Sequence, residues 1–528
     1  MKILISDPLG ADGVKLLRKQ TGFEVSEETE LSRQELLLRI GRFDALIVRS
    51  ATKVDRDVIA KGKNLKVIAR AGAGTDNIDV EAASRQGIIV TNTPDANTLA
   101  AAEHTFALIL ALCRKIPDAD RAVKAGEWKR SRFMGTQLFG KTLGIIGLGR
   151  IGLQVAERAK AFGMKLVASD PFVSDARARE LGIRLMPVAR LLRAADIVTL
   201  HAPVTDTTRD MINAANLEKM KRGAFLINCA RGALVDEAAL ASALKSKRLA
   251  GAALDVYKAE PPTGSPLLAL ENVVLTPHLA ASTAEAQAQV SIQIARQVIG
   301  VLTEQKFENV LNLPFRGPFA EMRPYLGLSA RIGALAAQIA HGPVGTVEWD
   351  YDGGPPEFAD AVVTALLRGV LQPVLGHGVN YVNARRMAAE RRLKVARVEG
   401  LANGRTHGTV ACRLVSGRKS RLIVGALVAT EWPRVVQIDG YRLDADPSGD
   451  LLFTVSRDVP GVIGKIGTLL GSARVNIGEW RLGRDTAKKQ AVTLINLDGP
   501  VPERTLAAIR KLDAVKEAHP VRPERDES

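Results

Sequence analysis

The sequence of 528 residues is poor in cysteine and in aromatic residues. Its three cysteines, Cys113, Cys229 and Cys412, lie far apart and form no C-x-x-C pair, which argues against a disulfide framework and against a zinc site. The N-terminal segment MKILISDPLG lacks the apolar run of a signal peptide, and no later segment is predicted to reach transmembrane length. We therefore expect a cytoplasmic protein with no resident metal and no membrane partner.

Aromatic residues make up 4% of the chain, whereas the formal net charge is +16. Such a basic protein could bind a nucleic acid or another polyanion. However, the cations are spread along the chain, and few rings are present to stack on bases, so we expect no nucleic-acid partner. One segment, residues 385–421, is locally basic. We interpret it as a solvated cationic face, with a phosphate or polyanion effector site as the alternative; its cations are Arg385, Arg386, Arg391, Arg392, Lys394, Arg397, Arg418, Lys419 and Arg421.

The length predicts about three or four domains. Short apolar runs alternate with helical stretches up to residue 95 and again after residue 140, which is the β-α-β rhythm of parallel sheets. We predict two doubly wound α/β domains of Rossmann or flavodoxin type: a substrate-binding domain (1–97 and 287–310) and an inserted cofactor-binding domain (98–286). An α+β intervening domain (311–445) and a ferredoxin-like module (449–522) follow. Pro117 is predicted to end a long helix, and Ser282 with Glu285 is predicted to cap the helix that leaves the second domain.

A glycine-rich segment, GIIGLGRIG, places Gly147, Gly149 and Gly152 in G-x-G-x-x-G spacing between an apolar strand and a helix. These glycines permit a tight turn and let a pyrophosphate approach the helix N-terminus. Asp170 ends the next strand, where its carboxylate would accept hydrogen bonds from the adenine ribose and repel a 2′-phosphate. The segment therefore predicts an NAD site; a glycine-rich loop without a ligand is the alternative.

Three polar side chains follow strands of the second domain, namely Arg231, Glu260 and His278. Since ligands collect outside the carboxyl ends of such strands, the three could converge. An arginine fork suits a carboxylate or a carbonyl, a histidine can exchange the proton of an alcohol, and a carboxylate beside it would orient the ring. The alternatives are a surface ion pair for Arg231, a solvated loop residue for Glu260 and a turn residue for His278.

A cluster of cations and backbone N–H groups is expected at the strand ends of the first domain. It consists of Arg49, Ser50, Arg70 and the backbone at Ala71 and Gly72. Such a cluster fits a doubly anionic substrate that carries both a carboxylate and a phosphate. Ordinary salt bridging is the alternative for the two arginines.

The segments GLGRIG, HAPVTDTT, INCARGALVDEAAL, ALDVYKAEPP and LTPHLAASTAEAQ resemble the D-isomer-specific 2-hydroxyacid dehydrogenases over roughly residues 1–310. The resemblance implies NAD-dependent oxidation of a hydroxy acid, with Arg231, Glu260 and His278 as the catalytic set and His278 as the general acid/base. It also implies cofactor contacts for Arg150, Ile151, Ala202 and Asp255. Finally, it implies a substrate contact for Asn97 and a homo-oligomer, a dimer or tetramer, in which Arg130 reaches the neighbouring subunit's site.

The C-terminal segment DVPGVIGKIGTLLGSARVNIGEWRLGR resembles an ACT module, a regulatory fold that binds amino acids. Together with the domain before it, this segment makes the whole chain similar to a long member of the family that acts on a phosphorylated hydroxy acid in serine synthesis. The resemblance implies serine as an effector, held by Asp458 and Asn476; a purely structural turn role is the alternative for both residues.

Five positions depart from the family pattern: Ala96 and Ala280 replace glycine, Ala100 replaces serine, Val459 stands where related sequences have the arginine of D-R-P-G, and Ser456 stands where close relatives have tyrosine. We expect the first two to cause small backbone adjustments near the active site. Two other functions stay open from the sequence. One is another D-2-hydroxyacid dehydrogenase, for hydroxypyruvate or glyoxylate, and the other is a non-catalytic NAD-sensing protein.

Overall fold

The first unit of the protein is a five-stranded parallel sheet in the order β2-β1-β3-β4-β5. The structure is a computed structural model that describes residues 1–304, 306–402 and 408–523. Its strand interiors are short apolar runs such as ALIV of β3, which are buried because helices cover the sheet. The elements are β1 (Lys2–Ile5), α1 (Ala11–Lys19), β2 (Glu24–Glu27), α2 (Arg33–Arg39), β3 (Ala45–Val48), α3 (Arg56–Lys61), β4 (Val67–Arg70), α4 (Val80–Gln86) and β5 (Ile89–Asn92).

The second unit is a seven-stranded parallel sheet in the order β12-β11-β10-β9-β6-β7-β8. The two parallel sheets confirm the predicted α/β class. The elements are α5 (Thr98–Cys113), α6 (Ile116–Lys124), β6 (Thr142–Ile146), α7 (Arg150–Ala161), β7 (Lys165–Ser169), α8 (Asp175–Glu180), β8 (Arg184–Leu185), α9 (Val188–Ala194), β9 (Ile197–Leu200), α10 (Ala214–Leu217), β10 (Ala224–Asn228), α11 (Glu237–Lys245), β11 (Leu249–Leu254), β12 (Val273–Leu275) and α12 (Ala284–Ile299).

Two predicted helix boundaries are wrong. The long helix α5 ends at Cys113, and Pro117 lies in the first turn of α6, where its missing N–H would have had no partner. The cap of α12 is Thr283, whose side chain accepts from the Ala286 N–H at 3.2 Å, because its backbone is extended. Ser282 instead closes a turn on Leu279.

Helix α12 returns the chain to the first unit. It lies against α1 so closely that a Cβ at Gly13 would come within 2.3 Å of the Ser291 carbonyl oxygen. Its apolar face, with Val290, Ile294 and Val298, belongs to the same core as β1, β3 and β4. The first unit is thus closed by a helix that follows the second unit in sequence.

The third unit is a mixed sheet in the order β14-β13-β15-β16-β17-β18. Its helices α13 and α14 cross in close contact, since a Cβ at Gly369 would lie 2.0 Å from the Ala330 carbonyl oxygen. The elements are α13 (Phe319–Gln338), β13 (Thr346–Asp352), α14 (Ala359–Leu375), α15 (Ala384–Glu390), β14 (Lys394–Arg397), β15 (Thr409–Ser416), β16 (Lys419–Val428), β17 (Trp432–Ile438) and β18 (Tyr441–Ala445).

The fourth unit is an antiparallel sheet in the order β20-β21-β19-β22, with two helices, in the β-α-β-β-α-β order of a ferredoxin-like module. One sheet face packs on its own helices, and the other contributes to the core of the third unit through residues such as Phe453 and Val492. The elements are β19 (Asp450–Arg457), α16 (Val462–Ser472), β20 (Ile477–Asp485), β21 (Gln490–Leu497), α17 (Glu503–Arg510) and β22 (Val515–Val521).

The segment Pro356–Leu375, which includes α14, is long and apolar enough to cross a membrane by length and composition alone. The sequence-based expectation that no segment would reach this length is therefore wrong. In the structure, 61% of its apolar window is buried, and the helix belongs to the core of the third unit.

Candidate active site

His278 and Glu260, predicted as a proton-transfer pair, are in contact at the carboxyl end of the second sheet. His278 Nδ1 lies 2.8 Å from Glu260 Oε2. A carboxylate at this distance favours the tautomer in which Nδ1 carries the proton and donates it to Glu260, which leaves Nε2 as the proton acceptor. Both side chains remain accessible, with 49% and 39% of their side-chain surfaces exposed. This arrangement suits a general acid/base.

The turn that carries His278 is anchored by a buried carboxylate. Asp255 is fully buried and accepts from the backbone N–H groups of Leu279 at 2.7 Å and Ala280 at 2.9 Å. It also accepts from Thr276 Oγ1 at 2.6 Å and lies 3.2 Å from His104 Nε2. Burial opposes ionisation of Asp255, but these hydrogen bonds outweigh it and lower the pKa of its carboxyl.

His278 has φ +57, a conformation that non-glycine residues rarely adopt and that clusters at functional sites. The Asp255 contacts hold the chain in this turn. Neither Ala280 nor Ala96 has a positive φ. These two departures from glycine therefore require no left-handed backbone.

Arg231 crosses from the second unit to the first. It follows β10, and its Nε donates to Asp76 Oδ2 at 3.0 Å, while its Nη1 donates to the carbonyl of Ala230 at 2.6 Å. The surface ion pair considered from the sequence therefore exists. It joins the two parallel-sheet units, since Asp76 follows β4 of the first unit and Arg231 follows β10 of the second.

Arg70, at the end of β4, lies among other cations. Burial, and then the like charges of Arg231 and Arg49, lower the pKa of Arg70 to about 10. Its Nη1 donates to the Ala71 carbonyl at 3.1 Å, whereas its buried Nε has no hydrogen-bond partner. Its side chain folds over Gly72, where a Cβ would lie 1.5 Å from Nη1. A cluster of three guanidinium groups with an unsatisfied buried donor is a suitable receptor for a multiply charged anion.

The glycine loop has the shape that a dinucleotide needs. Gly147 has φ +93, and a Cβ there would lie 2.6 Å from the His201 carbonyl. A Cβ at Gly152 would lie 2.2 Å from the Gly147 carbonyl oxygen, whereas one at Gly149 would meet nothing within 4 Å. Gly147 and Gly152 thus allow the turn to pack on α7, and Gly149 leaves open space at the helix N-terminus. This cradle fits a pyrophosphate.

The other predicted cofactor residues surround this loop. Asp170 accepts from the Leu148 N–H at 2.7 Å and from the Phe172 N–H at 2.8 Å. Arg150 pairs with Asp95 of the preceding connection. Ile151 is half-buried in the core of the second unit. Ala202 follows the half-buried His201, whose pKa is lowered to about 4 by desolvation. Asp255 lies behind the His278 turn, so its predicted contact with nicotinamide stays a prediction.

The remaining substrate candidates fall into two groups. Ser50 follows Arg49 and is exposed. Asn97 precedes α5, and its buried Oδ1 has no hydrogen-bond partner. Arg130 lies on an exposed turn, Arg130–Phe133. It is flanked by exposed apolar side chains, since Trp128 is 75% and Met134 is 78% exposed. Its predicted role in a neighbouring subunit's site stays a prediction.

The effector candidates have partners within their own module. Asp458 pairs with Arg484 at 2.7 Å, and Asn476 Nδ2 donates to Asp498 at 2.7 Å. Of the nine cations named above for the basic segment 385–421, four are paired with carboxylates. Arg385 contacts Asp360, Arg386 contacts Glu81 and Glu390, Arg397 lies near Asp350, and Arg421 contacts Asp439 and Glu517. These pairs favour a structural role over an anion site for part of the segment.

Within residues 1–304, 306–402 and 408–523, no group of three or more His, Cys, Asp or Glu side chains is placed to hold a metal ion.

Three comparisons with known proteins agree with this geometry. The NAD-binding domain of the D-isomer-specific 2-hydroxyacid dehydrogenases matches residues 106–280, and the intervening domain of D-3-phosphoglycerate dehydrogenase matches residues 321–439. Among solved structures, the TT0316 protein of Thermus thermophilus is 38% identical, with a TM-score of 0.55, over 59% of this chain and 100% of that one. D-lactate dehydrogenase of Aquifex aeolicus, solved with NAD and lactic acid, is 28% identical, with a TM-score of 0.54, over 59% and 99%. The fold and the site thus define a nicotinamide-dependent D-2-hydroxyacid dehydrogenase.

Relatives that match nearly end to end specify the family further. The D-3-phosphoglycerate dehydrogenase of Synechocystis sp. is 41% identical over 99% of this chain and 94% of its own length. That of Methanocaldococcus jannaschii is 42% identical over 98% and 99%. The chain belongs to the D-3-phosphoglycerate dehydrogenase family.

Two residues of the site were not singled out from the sequence. Asp76, which holds Arg231, lies in the loop AGAGTDN, and His104, which contacts Asp255, lies inside the apolar helix α5. The first resembles an ordinary turn residue and the second an isolated polar residue on a core helix. Only the spatial proximity of distant segments identifies them.

Proposed function

We propose that this protein catalyses the NAD-dependent oxidation of 3-phospho-D-glycerate to 3-phosphohydroxypyruvate, the first step of L-serine biosynthesis. The observation that carries the proposal is that the loop after β4, which begins at Arg70, contacts the two other arginines. Asn77 Nδ2 donates to the Arg49 carbonyl at 2.7 Å, and Asp76 accepts from Arg231 Nε at 3.0 Å. A substrate with a carboxylate at one end and a phosphate at the other supplies anions for such a cluster. A small hydroxy acid with a single negative charge would leave part of the positive charge of the arginine cluster uncompensated.

The reaction divides between the cofactor and the chain. Bound nicotinamide supplies the hydride acceptor. His278 Nε2 accepts the proton of the C2 hydroxyl, and Glu260 stabilises the imidazolium that forms, because its Oε2 lies 2.8 Å from Nδ1. Arg231 binds the substrate carboxylate and polarises the C2 oxygen. Arg49, Arg70 and the N–H groups at Ala71 and Gly72 hold the remaining anion, while Asn97 and Ser50 offer polar groups at the rim.

NAD is the proposed cofactor rather than NADP because Asp170 directly follows β7 and contacts the glycine loop at the Leu148 N–H. Its charge would repel a 2′-phosphate. The ratio of kcat/KM for NAD to that for NADP tests this choice, and a ratio below one would contradict it.

The activity test is NADH formation from 3-phospho-D-glycerate, with the product trapped by a hydrazine. We expect turnover of this substrate and weak turnover of unphosphorylated D-glycerate and D-lactate, and His278→Ala serves as the inactive control. Preferred reduction of hydroxypyruvate or glyoxylate would instead favour another D-2-hydroxyacid dehydrogenase. NADH binding without turnover of any of these acids would favour a sensing protein.

The fourth unit is proposed to bind serine as a regulatory effector. Its β-α-β-β-α-β order supports this role, and Asp458 and Asn476 are the proposed contacts. L-Serine is expected to inhibit the wild-type enzyme and to have a weaker effect on Asn476→Ala, with glycine as the control ligand. Equal inhibition of both proteins would exclude Asn476.

A homo-oligomer, dimer or tetramer, is proposed in the cytoplasm. The exposed apolar side chains beside Arg130 support self-association, and the three free, buried cysteines suit a reducing compartment. Light scattering coupled to gel filtration measures the assembly. If Arg130 completes a neighbouring site, Arg130→Ala raises KM for the substrate without changing the mass.

A further inference from the structure

Arg231 is oriented by a residue that no motif of the site includes. Asp76 lies in the loop between β4 and α4 of the first unit, and its Oδ2 accepts the Arg231 Nε–H at 3.0 Å. On the opposite side, Nη1 donates to the Ala230 carbonyl at 2.6 Å. A guanidinium group is planar, so two contacts to different nitrogens fix the direction of its plane. Nη2 is the remaining nitrogen of the fork.

Gly74, in the same loop, leaves the space that this guanidinium occupies. A Cβ at Gly74 would lie 2.0 Å from Arg231 Nη2 and 3.0 Å from Asp76 Oδ2. Gly74 does not have a positive φ, so its backbone conformation does not require glycine. The absence of a side chain at Gly74 is therefore needed to make room for the Arg231 guanidinium group and not to form the turn.

Charge supports the same arrangement. The cleft contains Arg49, Arg70 and Arg231, and the charge of Asp76 acts on Arg70 as well as on Arg231. The other carboxylate whose charge acts on Arg70 is that of Asp7. It accepts hydrogen bonds from the backbone N–H and the hydroxyl of Thr52. Asp76 thus gives the cleft a carboxylate that contacts an arginine side chain directly.

We propose that Asp76 is a positioning residue that orients Arg231 across the cleft, in the space that Gly74 leaves, for recognition of the substrate carboxylate. The proposal rests on the proposed function, in which Arg231 binds that carboxylate. Because Asp76 and Arg231 belong to different units, the arginine is oriented only while the two units are close together. Substrate recognition is thereby coupled to closure of the cleft.

The first test compares Asp76→Ala, Asp76→Asn and Gly74→Ala with the wild type. Loss of a charge-assisted hydrogen bond is expected to raise KM for 3-phospho-D-glycerate about tenfold in Asp76→Ala, and less in Asp76→Asn, which keeps an acceptor. Gly74→Ala, which displaces the guanidinium group, is expected to act in the same direction. The affinity for NADH, measured by fluorescence titration, and the midpoint of thermal unfolding are expected to stay unchanged.

Asp57→Ala is the matched control. Asp57 lies in the same unit, pairs with Arg33, and has the same 70% side-chain exposure as Asp76. It is expected to leave KM at the wild-type value. An equal rise of KM in Asp57→Ala and Asp76→Ala would show a general charge effect and overturn the proposal.

A double-mutant cycle with Arg231→Lys decides whether Asp76 acts through Arg231. Lysine lacks the Nε–H and the planar fork, so removing Asp76 in this background is expected to have almost no further effect on kcat/KM. Additive losses, or wild-type kinetics in Asp76→Ala, would overturn the proposal. If the wild type does not oxidise 3-phospho-D-glycerate, the proposed function fails instead, and the same cycle is then measured with the hydroxy acid that is turned over.

Discussion

His278 Nδ1 and Glu260 Oε2 lie 2.8 Å apart, although each residue follows a different strand of the second sheet. The pair combines two of the three side chains that the sequence predicts for the catalytic set, the histidine as the acid/base and the carboxylate that orients it. The third, Arg231, is held by Asp76 on the other side of the cleft. The pair therefore offers a direct test of the catalytic hypothesis.

Replacement of His278 by alanine removes the proton acceptor but leaves the glycine loop intact. We expect kcat to fall by about 100- to 10,000-fold, as is usual for the loss of a general acid/base. NADH affinity, measured by fluorescence titration, is expected to change little. If kcat survives and only the midpoint of thermal unfolding falls, His278 is a turn residue and not a catalytic one.

Replacement of Glu260 by glutamine keeps a hydrogen-bond partner for Nδ1 but removes the negative charge. We expect kcat to fall by about 10- to 100-fold, with a smaller change in KM, because the charge stabilises the imidazolium formed during the reaction. Glu271→Gln, an exposed carboxylate in the same unit, is the control. A loss of the same size in the control would contradict a specific role for Glu260.

Replacement of Arg70 by methionine removes the cleft arginine whose buried Nε has no hydrogen-bond partner, while keeping an apolar stem. We expect KM for 3-phospho-D-glycerate to rise by about 10- to 100-fold, because a charge-assisted contact to the substrate anion is lost. Arg56→Met, at an exposed position of the same unit, is the control. Ordinary salt bridging, the alternative for Arg70, would leave KM unchanged in both variants.

The local structures around the candidate site that the sequence predicts correctly are those in which a short sequence pattern determines one turn or one strand end. The glycine spacing predicts the β6-loop-α7 turn because Gly147 and Gly152 are needed for close backbone contacts within a short segment. Likewise, Glu260 and His278 follow strands whose carboxyl ends meet at one sheet edge.

Contacts between distant segments could not be predicted in this way. Asp76 is identified only by its distance to Arg231, and the Asp255–His104 contact joins β11 to α5. The fourth unit was predicted as a separate module, yet Phe453 belongs to the core of the third unit. The one-residue error at Ser282 has a similar cause, since the cap depends on the backbone conformation of Thr283.

Substitutions of two glycines in the glycine loop distinguish an effect on NADH binding from an effect on the stability of the fold. A Cβ at Gly152 would clash with the Gly147 carbonyl oxygen at 2.2 Å, so Gly152→Ala is expected to lower both the midpoint of thermal unfolding and NADH affinity. A Cβ at Gly149 meets nothing in the protein, so Gly149→Ala is expected to weaken NADH binding by about tenfold without loss of stability. Calorimetry and fluorescence titration measure the two quantities. Unchanged NADH affinity in Gly149→Ala would place the pyrophosphate elsewhere.

An ion cluster at the contact between the third and fourth units predicts a pH dependence of stability. Arg421, 2% exposed, contacts Asp439 at 2.8 Å and Glu517 at 2.7 Å, and its guanidinium group lies over the Phe453 ring. His519, 3.7 Å from Glu517, and then Arg421 lower the pKa of the Glu517 carboxyl to about 2. We attribute most of the stabilisation to Arg421, because its contact is the shorter one.

Because the pKa of Glu517 is lower in the folded protein than in the unfolded chain, its contribution is fully present at neutral pH. It is lost as the pH falls from the ordinary glutamate range towards 2. Glu517→Gln is therefore expected to destabilise the protein at pH 7 by on the order of 2 kcal/mol, since it leaves a buried guanidinium group with one carboxylate fewer. The difference from the wild type is expected to shrink at acid pH. Thermal unfolding of the wild type and of Glu517→Gln across this pH range measures the difference, with the exposed Glu503→Gln as the control. A constant difference at every pH would show that the charge of Glu517 is not the cause.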